Sequence, residues 1–269
     1  MDLLSLALVA GGIGVLFSVV MATAWCAQQR TGNSGWVDVS WTFGTGGIGC
    51  FAALIPISVP WPHWRQATVA LLAAWWCLRL GLHIIARTRS LLDDPRYGQL
   101  LTQWGDDARH QMFLFLQKQA AVGAVLALSI ALAAQNPDPI LRLEDMLGVA
   151  ILMGGILGEA IADRQLRRFR ADPANRGAVC DVGLWRWSRH PNYFFEWLSW
   201  LGYPLIAIDF AGYNPYGWIA LSAPTCMYWV LVHVSGIPPL EEHMLRSRGE
   251  AFRAYQARTR PFVPWPSDL

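Results

Sequence analysis

The stretch Gly183-Leu-Trp-Arg-Trp-Ser-Arg-His-Pro-Asn-Tyr-Phe-Phe-Glu-Trp197 runs from a polar, aromatic turn into an apolar segment that ends near Ile208. It places four polar residues where a hydrophobic helix begins: Arg189, His190, Asn192 and Glu196. The first backbone N–H groups of a helix lack partners inside it, and together with positive charge they can bind a phosphate-bearing ligand. This turn and helix start form the first candidate binding site.

The composition is typical of a membrane protein. Hydrophobic residues make up 54% of the 269 residues, charged residues only 15%, and the chain contains 15 Trp. A helix that crosses the hydrocarbon core needs about 20 apolar residues, and several windows are long enough. The sequence predicts an all-α, polytopic integral membrane protein whose seven transmembrane helices cover residues 3–25, 36–58, 67–87, 113–134, 146–163, 191–208 and 216–235.

The distribution of basic residues predicts the orientation of these helices, because short cytoplasmic loops are enriched in Lys and Arg. Arginines are concentrated in the loops 88–112 and 164–189 and in the C-terminal tail, whereas the alternate loops are nearly free of them. We therefore expect the N-terminus outside and the C-terminus in the cytoplasm.

The composition predicts membrane lipids as partners. The net charge of +2 gives no reason to expect nucleic acid. The five cysteines form no close pair and lie mostly in apolar windows, where a thiol behaves as a small hydrophobic group. Neither a disulfide framework nor a metal site is predicted.

Polar side chains occur inside the second and third predicted helices. Asp38 lies at or inside the membrane boundary, where an ionisable side chain is costly and is a functional candidate by default. Arg79 and His83 are four residues apart, so they lie on one face and should point to a cavity or to a partner such as Asp38. The structural alternatives are a helix cap at Asp38 and a satisfied pair at Arg79 and His83.

The fifth predicted helix ends in an ordered charge pattern, Gly158-Glu-Ala-Ile-Ala-Asp-Arg-Gln-Leu-Arg-Arg-Phe-Arg170. If the helix continues, one stripe carries two acids and then two bases: Glu159, Asp163, Arg167 and Arg170. Acids can accept ribose hydroxyl and amide N–H groups, and arginines can bind phosphates with two hydrogen bonds each. Ordinary salt bridging along a helix is the alternative, worth about 0.2–0.5 kcal/mol per pair.

The segment Gly44-Thr-Gly-Gly-Ile-Gly49 matches the dinucleotide pattern G-x-G-x-x-G. It lies inside an apolar predicted helix with no preceding strand, so the physical basis of that motif is missing. Small residues that allow close helix packing explain these glycines better. We therefore do not assign a cofactor loop to this segment.

The seventh predicted helix is followed by Pro238-Pro239 and a charged tail. Apolar residues of the tail form a broken helical stripe, which indicates an amphipathic segment that lies on the membrane or closes over a cytoplasmic pocket. His233, at the end of that helix, is a further candidate ligand residue.

Several of these segments together resemble the steroid 5α-reductase family in its bacterial branch. The resemblance rests on the stretch from Gly183 through Glu196-Trp197 and Gly202-Tyr203, with the charged stripe upstream. It also includes Trp36-Val-Asp-Val-Ser-Trp41, Arg79-Leu-Gly-Leu-His83, Asp94-Pro-Arg-Tyr97 and the segment 255–264.

The resemblance implies an NADPH-dependent oxidoreductase of the 3-oxo-5-alpha-steroid 4-dehydrogenase type. Its expected partner is a small apolar substrate, a steroid or another lipid enone, and its expected place is a bacterial cell membrane with the cofactor on the cytoplasmic side. It implies that Asp163, Arg170, Asn192 and Glu196 contact the cofactor, and that Glu159 occupies a position where eukaryotic members usually have Asn. From charge and location we add further cofactor-binding candidates: Arg167, Arg176, Arg189, His190 and His233.

The catalytic residues follow from the same resemblance. Asp38 and His83 occupy, by register, the positions of a Glu and a Tyr that polarise the 3-keto group in eukaryotic members. Trp41 and Arg79 are expected to line the substrate pocket. The whole chain, 1–269, is predicted to be a single membrane domain, in which residues 1–134 supply the substrate pocket and residues 135–269 the NADPH-binding region.

Two other classes remain open. Membrane methyltransferases of the isoprenylcysteine and phospholipid type also have Arg-His-Pro-x-Tyr before a helix and Glu-Glu in the tail, as at Glu241-Glu242, and they bind S-adenosylmethionine. Asn192, Glu196 and the number of arginines favour the reductase. A non-enzymatic lipid-binding protein would explain the helices but not the aligned polar residues.

Overall fold

The structure is a computed structural model that describes residues 1–59, 63–89 and 95–265, without the side chains of residues 95 and 96. Throughout these ranges the regular structure is helical, and one isolated bridge joins Ser188 to Arg260. The eleven α-helices are α1 (Leu3–Thr31), α2 (Gly35–Leu54), α3 (Trp64–Arg89), α4 (Pro95–Trp104), α5 (Ala108–Ala134), α6 (Leu143–Ala171), α7 (Pro191–Trp200), α8 (Gly202–Ala207), α9 (Ser222–Trp229), α10 (Ile237–Arg248) and α11 (Glu250–Arg258).

Five helical segments among the described residues are long and apolar enough to cross a membrane: Leu3–Thr31, Trp64–Arg89, Tyr97–Ala134, Leu143–Ala171 and Gly217–Arg248. The predicted all-α membrane protein is therefore confirmed at this level. The other two predicted spans correspond to α2, which has 20 residues, and to α7 and α8, which have 10 and 6. Seven spans and an outside N-terminus stay predictions. Part of the predicted loop 88–112 lies outside the described residues.

The ends of the helices follow from local chemistry. The side chain of Asp2 accepts a hydrogen bond from the Ser5 amide at 2.7 Å and so caps the start of α1. Gly32 ends that helix with a φ of 68°, a left-handed conformation that glycine adopts without steric cost. Pro191 occupies the first turn of α7, as predicted. The helical segment that contains His233 ends at Val234, and Pro238 and Pro239 follow it, as predicted; they lie in the first turn of α10.

The chain divides into two compact units. Unit 1 comprises Met1–Met146 and Tyr203–Ala223, and unit 2 comprises Leu147–Gly202 and Pro224–Leu269. In unit 1, α1, α2 and α5 enclose an apolar core that includes Phe17 and Met21, both fully buried.

The glycines of the 44–49 segment lie where helices of unit 1 approach each other closely. A Cβ atom added to Gly46 would lie 2.2 Å from the Cβ of Cys77 in α3, and one added to Gly49 would lie 2.5 Å from Cδ1 of Ile130 in α5. A larger residue at Gly46 would collide with the base of the Cys77 side chain, and one at Gly49 would require the Ile130 side chain to shift. The interpretation of this segment as a packing surface is confirmed.

A buried network of charged side chains connects the loop between α5 and α6 to α3. The guanidinium of Arg65, fully buried, donates to both carboxylate oxygens of Asp145 at 3.1 and 2.8 Å. It also donates to the backbone carbonyls of Asn136, Asp138 and Ile140. Because each nitrogen of the guanidinium donates to an acceptor, the positive charge of Arg65 is compensated inside the protein.

A second arginine extends this network to the segment after α8. Arg142 donates to both oxygens of Asp145 and to the carbonyls of Ile206 and Ile208. Asp209 in turn accepts from the backbone amides of three following residues: Ala211, Tyr213 and Asn214. Two sequence-distant loops of unit 1 are therefore held together by ionic and backbone hydrogen bonds.

Candidate functional site

The first candidate site lies in unit 2, where α6 and α7 pack closely. A Cβ atom added to Gly155 would lie 2.7 Å from the Ser199 amide and 2.8 Å from the Phe195 carbonyl oxygen. One added to Gly158 would lie 2.3 Å from the ring of Phe195. The absence of side chains at these glycines lets the backbones of the two helices meet next to the polar residues.

The acidic residues of both helices are buried. The exposed fractions of Glu159, Asp163 and Glu196 are 4%, 5% and 5%. The amide of Asn192 donates to Asp163 at 3.5 Å, and Glu196 accepts a hydrogen bond from the indole of Trp200 at 3.0 Å. The structure therefore joins the predicted polar residues of α6 and α7 through Asn192 and Asp163.

The arginines that follow the acids are exposed. The helix α6 continues to Ala171, as the stripe requires, and Arg167 and Arg170 lie one and two turns beyond Asp163. Arg176 is also exposed, in the loop after α6. The surface of unit 2 thus offers positive charge beside a buried acidic group.

Arg189 is held by the C-terminal part of unit 2. Its guanidinium donates to the two oxygens of Glu241 at 2.6 and 3.2 Å. It also donates to the carbonyl oxygen of Thr259 at 2.6 Å, and its backbone amide donates to the carbonyl of Arg260 at 2.9 Å. Arg189 was predicted to bind cofactor, and in the structure it connects the start of α7 to α10 and to the tail.

His190 lies beside the same carboxylate. It is 3% exposed, its Nε2 is 3.0 Å from Glu241, and its ring stacks on Tyr193 with 9° between the planes. Burial lowers the pKa of His190, although the hydrogen bond to Glu241 opposes this shift. A neutral ring that donates from Nε2 presents Nδ1 as an acceptor, and among the described residues Nδ1 has no hydrogen-bond partner.

The tail covers the turn before α7. The hydroxyl of Ser188 donates to the carbonyl of Phe262 at 2.7 Å, and the hydroxyl of Tyr255 donates to the carbonyl of Trp185 at 2.5 Å. Burial raises the pKa of Tyr255, so this hydroxyl keeps its proton. His233, in contrast, is exposed in the π-helical turn after α9, where it contacts the rings of Tyr228 and Trp229.

The predicted catalytic residue Asp38 belongs to a polar cluster in unit 1. Its carboxylate accepts from the hydroxyl of Tyr97 at 2.8 Å and from the guanidinium of Arg87 at 3.3 Å. The amide of Gln119 donates to the same hydroxyl at 3.1 Å, and the Gln119 carbonyl accepts from the indole of Trp41. The structure thus brings together Asp38 and Trp41, which were predicted to lie in one site.

Three residues of this cluster were not selected from the sequence: Arg87, Tyr97 and Gln119. Arg87 follows Arg79 and His83 at the same spacing of four residues, and this repeat could have indicated it. Arg79 and His83 are both half-buried on α3. Because the three residues lie along one side of the helix, the position of Arg87 indicates that this side includes the neighbourhood of Asp38.

The residues of unit 2 fit a nucleotide cofactor. Exposed arginines suit phosphates, buried carboxylates suit hydroxyl and amide donors, and the unsatisfied Nδ1 of His190 offers one more acceptor.

Residues 24–259 match the sequence profile of a family that is described as a protein of unknown function (DUF1295). The chain belongs to that family. It is a steroid 5α-reductase-like family. No curated protein and no solved structure matches the chain.

Proposed function

We propose that the protein is a membrane-embedded, NADPH-dependent reductase of the C=C bond of an enone, with 3-oxo-Δ4-steroid 5α-reduction as the reaction. The proposal rests on the junction of α6 and α7, where the amide of Asn192 donates a hydrogen bond to Asp163. Glu159 and Glu196 are also buried on these two helices, and exposed arginines follow farther along α6. The resemblance of the sequence to the steroid 5α-reductase family supports the same class. We place the cofactor side in the cytoplasm of a bacterial cell.

The residues of unit 2 would hold NADPH by charge and hydrogen bonding. Arg167, Arg170 and Arg176 would bind phosphates, while Asp163 and Glu196 would accept hydrogen bonds from hydroxyl or amide groups. Bound NADPH would supply a hydride to the β-carbon of an enone, and addition of a proton from water at the α-carbon would complete the reduction of the C=C bond. Arg189 would act indirectly, because its guanidinium is already bonded to Glu241 and to backbone carbonyls.

The residues proposed for polarising the substrate carbonyl are Asp38 and His83, with Trp41 and Arg79 in the substrate pocket. A hydrogen bond donated by His83, or by Asp38 in its protonated form, would stabilise the negative charge that develops on the carbonyl oxygen. The hydrogen bond from Tyr97 fixes the direction of the Asp38 carboxylate. The substrate would be an apolar enone that partitions into the membrane.

One observation is equally compatible with the methyltransferase alternative. The motif that both enzyme classes share, Arg-His-Pro with a Glu in the tail, forms a connected unit here, since Arg189 and His190 both contact Glu241. These contacts fasten the tail to the start of α7 and do not discriminate between the two cofactors. Asn192, Glu196 and the exposed arginines are the residues that favour NADPH.

Ligand-induced thermal stabilisation of the purified protein tests the class of cofactor. We expect NADPH to raise the unfolding temperature, NADH to do so less because it lacks the 2′-phosphate, and S-adenosylmethionine to leave it unchanged. Stabilisation by S-adenosylmethionine alone would replace the reductase with a methyltransferase. No shift with any of the three would favour the non-enzymatic alternative.

A pair of neighbouring arginines tests the site. Arg170→Gln should weaken NADPH binding by about tenfold, the value of one charge-assisted phosphate contact. Arg168→Gln removes an exposed arginine on another side of the same helix and serves as the matched control. Equal affinities in the two variants would remove Arg170 from the site.

His83→Ala tests the catalytic assignment. We expect turnover of an enone steroid to fall by about a hundredfold, the usual contribution of a general acid, with NADPH binding unchanged. Unimpaired turnover would end the catalytic role of His83. Loss of NADPH stabilisation in this variant would show that the substitution damages the fold and not the chemistry alone.

A further inference from the structure

An open pocket in unit 1 lies between the C-terminal part of α1 and the start of α5. It has a volume of about 500 Å³ and is lined by Trp25, Asp106, Asp107, Arg109, His110 and Phe113. Trp25 and Phe113 meet edge to face with their ring centroids 5.6 Å apart, and the Trp25 indole donates to the carbonyl of Arg109 at 3.1 Å. The two helices are thus fixed to each other at the base of the pocket.

Two charged side chains at this pocket, Asp106 and Arg109, are close in sequence but are not paired with each other. Asp106 and Arg109 are three residues apart, yet the guanidinium of Arg109 lies over the ring of Trp25, 5.2 Å from its centroid. Within the described part of the chain, the Asp106 carboxylate and the Arg109 guanidinium each lack an oppositely charged partner. Asp107, in contrast, is engaged by His110 and Gln111. One negative and one positive group therefore remain available at the same opening.

The surroundings of the pocket are those of a membrane interface. Trp25 is followed in α1 by Gln28, Gln29 and Arg30, and Trp side chains prefer the boundary between apolar and polar layers. Earlier in α1, Val15 and Val19 are 66% and 56% exposed, so this helix has an apolar outer surface. A ligand with a charged head and apolar tails would have surface for both parts.

We propose that this pocket binds the headgroup of a zwitterionic phospholipid that carries a primary ammonium group, a phosphatidylethanolamine. The phosphate would pair with Arg109 and the ammonium with Asp106. A primary ammonium donates hydrogen bonds to a carboxylate, which the quaternary ammonium of phosphatidylcholine cannot do. The proposal is independent of the reductase activity, since it rests on residues outside both candidate sites.

Native mass spectrometry of the delipidated full-length protein tests the proposal. The protein is mixed with equal amounts of phosphatidylethanolamine, phosphatidylglycerol and phosphatidylcholine, and the bound lipid is quantified. We expect phosphatidylethanolamine to be retained preferentially. Asp106→Asn should reduce that preference by about threefold, as expected for a pair at an exposed site, and Arg109→Gln should weaken retention of phosphatidylethanolamine and phosphatidylglycerol alike.

Glu250→Gln is the matched control, because it also removes an exposed carboxylate but lies in α11, paired with Arg253. It should keep the wild-type preference. Equal retention of the three lipids by the wild type, preference for phosphatidylglycerol, or an unchanged preference in Asp106→Asn would each overturn the proposal. Loss of the preference in Glu250→Gln would overturn it as well, since net charge alone would then explain the binding.

Discussion

Arg189 and Glu241, separated by 52 residues in the chain, form a two-point contact in which the guanidinium Nε lies 2.6 Å from one carboxylate oxygen. The same carboxylate contacts His190 and Gln256. It therefore connects the turn before α7 with α10 and α11. Whatever the cofactor is, the position of the α7 start depends on this carboxylate.

Glu241→Gln should lower the stability of the protein. The substitution removes the negative charge that compensates the mostly buried Arg189, and it removes one acceptor of the paired hydrogen bonds. Loss of a hydrogen bond between charged groups lowers the free energy of unfolding by about 1.5–3 kcal/mol. Denaturant unfolding in detergent micelles measures the change.

The neighbouring Glu242→Gln provides the control. Glu242 is exposed and pairs with Arg246 one helical turn away, so its loss should cost less than about 0.5 kcal/mol. Similar losses in the two variants would mean that the contact between Arg189 and Glu241 contributes no more than a surface pair.

Stability should fall at acidic pH because of His190. Burial holds its pKa below the ordinary value of 6.5, so between the two pKa values the unfolded chain binds a proton that the folded protein does not. The stabilising contribution is complete above about pH 6.5 and is lost as pH falls through the folded-state pKa. The charged groups around the ring are Glu241 and Arg189.

Unfolding temperatures between pH 5 and pH 8 measure this effect, with His190→Gln as the comparison. The variant should be less stable at neutral pH but should show a weaker decline toward pH 5. If the two proteins decline in parallel, His190 does not cause the dependence.

The close approach of α6 and α7 can be tested at adjacent glycines. Gly155→Ala forces a Cβ atom against the backbone of Ser199 and Phe195 and should destabilise the protein by about 1–3 kcal/mol. Gly154→Ala meets no atom within 4 Å and should stabilise the helix by up to about 1 kcal/mol. Unfolding measurements on both variants should therefore give changes of opposite sign; a common sign would contradict the packing.

The buried arginine of unit 1 should be far more sensitive than a surface arginine. Arg65→Gln leaves Asp145 with Arg142 alone and leaves three carbonyl oxygens without their donor, which should cost about 3–5 kcal/mol. Arg164→Gln, at an exposed position, should change the unfolding free energy by less than about 0.5 kcal/mol. A small loss in Arg65→Gln would show that water replaces the missing donor.

Local features of the fold could be predicted from the sequence because they depend on neighbouring residues. The continuation of α6 to Ala171 follows from the charged stripe and the Asp-Pro pair after it, and Pro191 indicates the start of α7. The tail, predicted as a broken stripe, forms two helices that are separated at Gly249, which has a positive φ.

The partners of the charged residues could not be predicted in the same way. Asp145 lies 80 residues from Arg65, and Tyr97 lies 59 residues from Asp38. Many carboxylates and cations in the sequence could pair, and the pairing is decided by which helix faces come together. The sequence therefore predicts Arg189 as a ligand residue without indicating its contact with Glu241, which only the structure shows.

The sequence by itself determined that the chain is helical and apolar enough for a membrane, which helix faces carry acids and arginines, and which glycines permit close packing. These properties depend on composition and on the 3.6-residue period of a helix. Only the tertiary structure decided that Asn192 meets Asp163, that Glu241 fixes the start of α7, and that Tyr97 orients Asp38. Such contacts join residues far apart in the chain, and their geometry exists only once the helices have packed.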